Sequence, residues 1–223
     1  MRKYFILLFF LTASLYGVAQ KLSVRKLTCE NTEAPLGIEK ASPSLSWQLS
    51  STGRGVIQTA YRILVADDPA LLAKNRANVW DSKKIKTDQS LHIAYAGKTL
   101  QPVKTYYWKV MAWDNKGAQS PWSAIASWQM GLPNKTDWHG AQWIAYEKLP
   151  DSLVNILPTD GKKDQYNGNN ILPLLRKSFF ARKPVRKATL FMAGLGHFEV
   201  SLNGKKIGDH FLDPGWTKYD KQA

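Results

Sequence analysis

Short strand-like runs recur at close spacing from residue 21 to residue 131, and this pattern constrains the fold more than any other feature. Residues 60–66 and 105–112 each place apolar side chains at every second position, which is the period of a half-buried strand. Helical periodicity is almost absent, apart from one short candidate helix at 69–77. Similar strand-like runs occupy residues 44–48, 79–85, 90–95 and 124–130. Short strands at this spacing predict an all-β sandwich over residues 21–131.

The spacing of a leucine, a proline and a tyrosine indicates which kind of β-sandwich residues 21–131 form. Pro102 lies two residues after Leu100, and Tyr106 lies six residues after it. This spacing resembles the corner that enters strand F of fibronectin type III domains, where the tyrosine hydroxyl bonds back to the chain. The resemblance implies a fibronectin type III-like sandwich. The alternative is another β-sandwich with a buried tyrosine.

The first nineteen residues have the pattern of a secretory signal peptide. Arg2 and Lys3 precede an almost wholly apolar run at 4–16, and small residues lead to a cleavage site after Ala19. The apolar run is shorter than the roughly 20 residues that a membrane-spanning helix needs. Residues 1–19 therefore predict an exported protein, periplasmic or extracellular, without a membrane span.

Cysteine and histidine usage argues against disulfides and metal centres. Cys29 is the only cysteine, so no internal disulfide can form. The four histidines are scattered without the spacing of metal ligands. We therefore predict no metal site and no cofactor, and we expect burial of apolar side chains alone to stabilise the chain.

The chain is strongly basic, with a formal net charge of +14. Removing Arg2 and Lys3 leaves 29 basic and 17 acidic residues, a net charge of +12. Such a balance can indicate nucleic-acid binding, but the lysines are spread through turns and strand faces, and an exported protein rarely meets nucleic acid. We therefore predict solvated strand faces and no nucleic-acid partner, while attraction to acidic polysaccharide or an anionic cell surface stays open.

A second β region follows a linker and polar insertion at residues 132–170. Strand candidates lie at 175–180, 188–192 and 197–202. Asn203-Gly204 between alternating runs is the strongest short-range signal for a hairpin, because both turn residues must adopt positive φ. Three strands and the short second strand of the hairpin are too few to complete a β-sandwich. Residues 171–223 therefore predict an incomplete second β-sandwich, jelly-roll-like, in a truncated or fragmentary chain or one that a partner completes.

Catalytic arrangements are weak in the sequence, whereas residues suited to sugar binding cluster near its end. Aromatic rings stack on the apolar faces of sugars, and polar side chains bond to their hydroxyls. The candidate carbohydrate-binding residues are Asn203, Asp209, Asp213, Trp216 and Tyr219. The alternative is that the aromatic residues belong to the core and that Asn203 only forms the turn.

Residues 187–221 closely resemble a segment of bacterial α-L-rhamnosidases. The matching features are Gly194-Leu195-Gly196, Glu199, Leu202-Asn203-Gly204, Gly208-Asp209, Leu212-Asp213-Pro214-Gly215-Trp216-Thr217 and Tyr219. In that family this segment belongs to a β-sandwich after a fibronectin-like domain, and the catalytic carboxylates lie on an (α/α)₆ barrel well downstream. None of those catalytic residues can be carried over to this chain, because the matching positions do not exist here.

The resemblance implies the N-terminal accessory portion of an exported α-L-rhamnosidase, a family that hydrolyses terminal α-L-rhamnose from glycosides. This chain would be inactive alone and would act as a scaffold or as a carbohydrate-binding module. Its partners would be a rhamnose-containing glycan and a downstream catalytic barrel, or another chain that completes the second sandwich. The alternative is a free-standing secreted sugar- or surface-binding β-sandwich protein.

Overall fold

The computed structural model describes residues 22–145, 173–209, 211, 213 and 215. The chain divides into two compact units, Met1–Asp137 and Trp138–Ala223. The predicted signal peptide and the insertion at 147–170 lie outside the described residues. The domain boundaries set from the sequence stay predictions.

The first unit is built from two antiparallel sheets. One sheet has the order β1-β2-β6, and the other has the order β4-β3-β7-β8 with β5 also paired to β3. The elements are β1 Ser23–Cys29, β2 Ser44–Ser50, β3 Gln58–Ala66, α1 Pro69–Ala73, β4 Trp80–Asp81, β5 Ile85–Lys86, β6 Ile93–Ala94, β7 Thr105–Asp114, β8 Ala126–Gln129 and a 3₁₀ turn Lys135–Trp138. The predicted all-β architecture is confirmed.

The core of the first unit lies between these sheets. Trp47 from β2 and Trp108 from β7 are almost completely buried. On β3, Ile63 pairs with Val110 across the central β3–β7 ladder, and both side chains enter the same cluster. The cluster therefore contains the alternate residues that the period-2 patterns of 60–66 and 105–112 predict.

The predicted tyrosine corner is present. The backbone N–H of Gln101 donates to the Tyr106 hydroxyl oxygen at 2.8 Å. The Tyr106 ring is buried and stacks on Trp128 at 5.7 Å between centroids. The hydroxyl satisfies a backbone donor at the turn, and the ring anchors that turn to the core.

Three elements of the first unit differ from the sequence prediction. The single strand predicted at 79–85 is two short strands, because Lys83 adopts φ 56° and interrupts the extended backbone. The helix predicted at 69–77 ends at Ala73, two residues before Asn75 turns to φ 56°. Strand β1 escaped prediction, since a bulge between Arg25 and Thr28 disrupts its alternation.

The second unit contains the predicted hairpin but not all of the predicted strands. Ser201–Leu202 (β9) pairs with Lys205–Lys206 (β10). The strands predicted at 175–180 and 188–192 are wrong, because these residues carry apolar side chains but form no ladder within the described part of the chain. An alternating pattern becomes a strand only when another strand satisfies its backbone groups.

Helix is scarce in the described part of the chain. Its one α-helix has five residues, and no helix there has the length and apolarity to cross a bilayer. Asp68 begins the helix by accepting from the backbone N–H of Ala70 at 2.8 Å, and Pro69 occupies its first turn.

Candidate carbohydrate-binding hairpin

The Asn203-Gly204 turn sets the register of the hairpin. Asn203 has φ 52° and Gly204 has φ 77°, the left-handed conformations that a two-residue hairpin turn demands. Leu202 then lies opposite Lys205, and Ser201 lies opposite Lys206. The turn therefore places the side chain of Asn203 at the tip of the hairpin.

The base of the hairpin is tied to the chain that follows it. The backbone N–H of Phe198 donates to the carbonyl oxygen of Asp213 at 2.8 Å. A Cβ added at Gly194 would overlap the Phe198 ring, and Gly196 has φ 124°. Both glycines are thus needed for the bend that leads into the hairpin.

A carboxylate, an ammonium group and an aromatic ring line one side of the hairpin. Lys206 Nζ lies 2.8 Å from Glu199 Oε2 and 4.5 Å from the centroid of the Phe211 ring. The ring is 84% exposed. A ring face next to charged hydrogen-bonding groups can stack on a sugar and bond to its hydroxyls.

Sequence reasoning missed Lys206 and Phe211 as members of this group. A signal was available for Lys206, because the Asn-Gly turn predicts Ser201 opposite Lys206 and therefore Glu199 as its diagonal neighbour. The contact of the Phe211 ring with Lys206 could not be predicted in this way, because it depends on the path of the chain after β10.

The structure describes three of the five predicted sugar-binding residues, and two of these, Asn203 and Asp213, lie apart. Asn203 lies at the tip, whereas Asp213 lies opposite Phe198, up to about 16 Å away along the strand. Asp209 is exposed after β10. Trp216 and Tyr219 lie outside the described residues, so their part in a sugar site stays a prediction.

Three carboxyl groups in the first unit have pKa values that the structure shifts downward. Hydrogen bonds from Arg62 hold the pKa of Asp81 well below its usual range. A hydrogen bond from Lys104 lowers the pKa of Asp67. Burial raises the pKa of Glu30, but backbone and lysine hydrogen bonds outweigh it and lower the pKa overall. A glycosidase acid needs a raised pKa, so these three groups act as ion-pair partners.

Metal ligation finds no support in the described residues, where no three His, Cys, Asp or Glu side chains come close enough to hold an ion. Burial raises the pKa of the Cys29 thiol to about 12. The thiol therefore stays protonated near neutral pH and behaves as an apolar core group.

A groove of about 530 Å³ opens in the first unit between β1 and β8. Val24, Leu27 and Ile125 form much of its wall, and Arg25 and Glu33 add charge. Its lining contains no aromatic ring. The groove therefore lacks the stacking surface that the hairpin offers to a sugar.

Two domain families match the chain. Residues 24–134 match the Rha78A-like N-terminal immunoglobulin domain. Residues 183–223 match the α-L-rhamnosidase N-terminal domain. The first match covers the sandwich, and the second contains the hairpin.

Individual relatives match most of the chain in sequence and more than half of it in structure. An α-L-rhamnosidase of Formosa agariphila is 36% identical over 201 residues, which are 85% of this chain and 20% of the relative. The crystal structure of the Streptomyces avermitilis α-L-rhamnosidase complexed with L-rhamnose gives a TM-score of 0.53 at 39% identity, over 59% of this chain and 12% of that one. The Dictyoglumus thermophilum α-L-rhamnosidase gives 0.51 at 38% identity, over 52% and 13%. The chain spans about a fifth of the length of the curated relatives it matches.

Proposed function

Because this chain belongs to the α-L-rhamnosidase family through its two N-terminal domains, we propose that it is the accessory N-terminal region of an exported α-L-rhamnosidase. The proposal rests on how much of each protein the sequence match covers. The match covers 85% of this chain but only 20% of the relative. Hydrolysis of terminal α-L-rhamnose would belong to a downstream catalytic domain, which this chain would support as a scaffold or as a sugar-binding module.

The described carboxyl chemistry supports an accessory role. Inverting and retaining glycosidases both need a proton-donating carboxylic acid and a second carboxylate on either side of the bond. The described carboxyl groups with shifted pKa values are held ionised by Arg62, Lys104 and Lys40. The groups that suit sugar contact lie instead on the hairpin, where Glu199, Lys206 and Phe211 adjoin.

The accessory role is tested by hydrolysis of 4-nitrophenyl α-L-rhamnoside. We expect no release of 4-nitrophenol by the 223-residue chain. We expect release when the reading frame after codon 223 is extended through a helix-rich catalytic region. Turnover by the 223-residue chain alone would contradict the accessory role, and a frame that does not continue into such a region would contradict the enzyme assignment.

Sugar binding is tested by titrating the chain with L-rhamnose. Phe211→Ala removes the exposed ring beside Lys206, and we expect it to weaken binding by about 5-fold, the size of one stacking contact. Trp143→Ala is the control, because that ring is 64% exposed and is not part of the hairpin. Equal affinity of both variants would exclude the hairpin as the sugar site and leave the scaffold role.

A further inference from the structure

The larger sheet of the first unit has an open edge at strand β8. Its ladder neighbour is β7. On the other side of β8, Gln129 donates to the Pro35 carbonyl at 2.9 Å and accepts from the Ile38 N–H at 3.0 Å. Backbone groups repeat their direction at every second residue of a strand, so the N–H and C=O of Ser127 point to that same side. Among the described residues, none forms a hydrogen bond with these two groups.

The pairing on the outer side of β8 stops short of Ser127. The paired segment runs from Pro35 to Ile38, and a parallel bridge joins Ile38 to Met130. Ala34, directly before this segment, has φ 48°, a left-handed conformation that ends the extended run. The first unit therefore covers one part of the β8 edge and leaves the rest free.

Two other edges of the sandwich have features that block the addition of a strand. Strand β1 contains a bulge, carries Arg25 and has Lys26 in the left-handed region. Strand β5 carries Lys86 and follows the left-handed Lys83. Charges and interruptions of this kind prevent pairing with a further strand. Residues 124–127, Ala-Ile-Ala-Ser, contain neither a charge nor a proline, so the β8 edge lacks this protection.

The open edge borders the groove between β1 and β8. The groove volume of about 530 Å³ lies in the range of binding pockets. Val24, Leu27 and Ile125 form an apolar wall. Ala126 and Ser127 are small, so a polypeptide backbone can approach the edge closely. An added strand would pair with Ser127 through its backbone and place alternate side chains against the apolar wall.

The charges of the groove indicate the chemistry of the added strand. Arg25 and Lys26 line it together with one acidic residue, Glu33. None of the three takes part in a described ion pair, so the groove carries a net positive charge. A second copy of this chain, with a formal net charge of +14, would bring like charges together. We propose that the β8 edge binds an extended polypeptide segment of a partner protein, in which apolar and acidic residues alternate.

The proposal is tested with a capped peptide of about seven residues in which valine alternates with aspartate. Hydrogen exchange of the 223-residue chain is followed by NMR with the peptide at about ten times its dissociation constant. We expect exchange of the Ser127 amide to slow about 10-fold, because this amide exchanges only from the peptide-free state. The amide of Lys86 on edge strand β5 should not change. Absence of binding, or equal slowing at both amides, would overturn the proposal.

Two altered peptides separate backbone pairing from attraction between charges. A version that is N-methylated at every residue keeps the side chains but has no backbone donor, and it should bind at least about 10-fold more weakly. A version with lysine in place of aspartate keeps the backbone donors and should also bind at least about 10-fold more weakly, because like charges then meet. Equal binding of either version and the original peptide would contradict the proposal.

Matched variants of the protein separate a local site from general attraction to a basic chain. The double variant Arg25→Gln/Lys26→Gln should weaken binding of the aspartate peptide about 5-fold. Lys74→Gln/Arg76→Gln removes the same charge from exposed positions after α1 and should leave the affinity within about 2-fold. If both double variants weaken binding equally, the groove is not the site.

Association of the chain with itself is the competing use of this edge. We expect sedimentation of the peptide-free chain to show a monomer. A dimer in which the Ser127 amide is protected without peptide would assign the edge to a second copy and overturn the proposal. The inference concerns the first unit alone, and release of 4-nitrophenol tests the accessory role separately.

Discussion

Both units contain large apolar side chains, but most of these are buried in the first unit and exposed in the second. In the first unit Trp47, Trp108 and Trp128 are each at most 1% exposed. In the second unit, Leu174 and Phe180 are 99% and 95% exposed. Both regions show strand-like patterns in the sequence, yet among the described residues only those of the first unit lie between two sheets.

The difference shows that an alternating pattern is not sufficient for a strand. In the first unit, β3 has β7 on one side and β4 and β5 on the other, so its backbone groups are paired and its apolar face meets a second sheet. In the second unit the described ladder is limited to two residues on each side of the Asn203-Gly204 turn. A hairpin of this size is marginal without further packing.

The largest expected effect comes from removing a buried tryptophan. Trp108→Ala deletes a fully buried ring in β7 and should lower the free energy of unfolding by about 3–5 kcal/mol. Urea unfolding followed by tryptophan fluorescence measures the change. Phe180→Ala is the control from the second unit, and we expect a change within about 0.5 kcal/mol. A large loss for Phe180→Ala would remove the contrast between the units.

A buried polar network should have the next largest effect. Gln58 accepts from Trp47 Nε1 at 3.0 Å and donates to the Gln89 carbonyl at 2.8 Å. Gln58→Leu would leave the indole N–H of Trp47, on a ring that is 1% exposed, buried without a partner, and should cost about 2 kcal/mol in the same urea experiment. Gln89→Leu is the control, because the Gln89 carbonyl belongs to the backbone and its side chain is exposed. Equal losses for both variants would contradict the role of this network.

The Arg62–Asp81 pair should make the first unit sensitive to acid. Its hydrogen bonds lower the pKa of Asp81 in the folded state below the ordinary value of 3.8. The stabilisation is therefore present above about pH 4 and lost as the pH falls below it. Asp81→Asn should flatten this decline by on the order of 1 kcal/mol, allowing for solvent screening.

Urea unfolding between pH 6 and pH 2 measures this dependence. Asp88→Asn is the control, because Asp88 is an exposed carboxylate in the same unit. If the free energy of unfolding falls equally with pH in Asp81→Asn and in the unaltered chain, the Arg62–Asp81 pair does not cause the acid sensitivity.

The smallest effect should be confined to the hairpin. Gly204 has φ 77°, so Gly204→Ala should destabilise the turn by about 1 kcal/mol. Loss of cross-strand NMR contacts between Leu202 and Lys205 would report this change. The urea midpoint of the first unit should stay unchanged, and a parallel shift of that midpoint would show that the two units do not unfold independently.

Prediction from sequence succeeded where local chemistry decides the structure. Pro102 and Tyr106 predicted a corner that the Gln101–Tyr106 hydrogen bond confirms. Asn203-Gly204 predicted the hairpin, because few residues adopt positive φ at low cost. Prediction failed at 175–180 and 188–192, where the pattern alone does not reveal whether a partner strand is present.

The amino-acid sequence by itself determined the all-β class, the tyrosine corner, the Asn-Gly turn and the family resemblance. Each follows from side-chain period, backbone preference or a contiguous motif, which are properties of neighbouring residues. Only the tertiary structure decided which apolar runs are buried and that Glu199, Lys206 and Phe211 adjoin. Burial and side-chain contact depend on what lies across a ladder or a sheet interface, and residues far apart along the chain supply those neighbours.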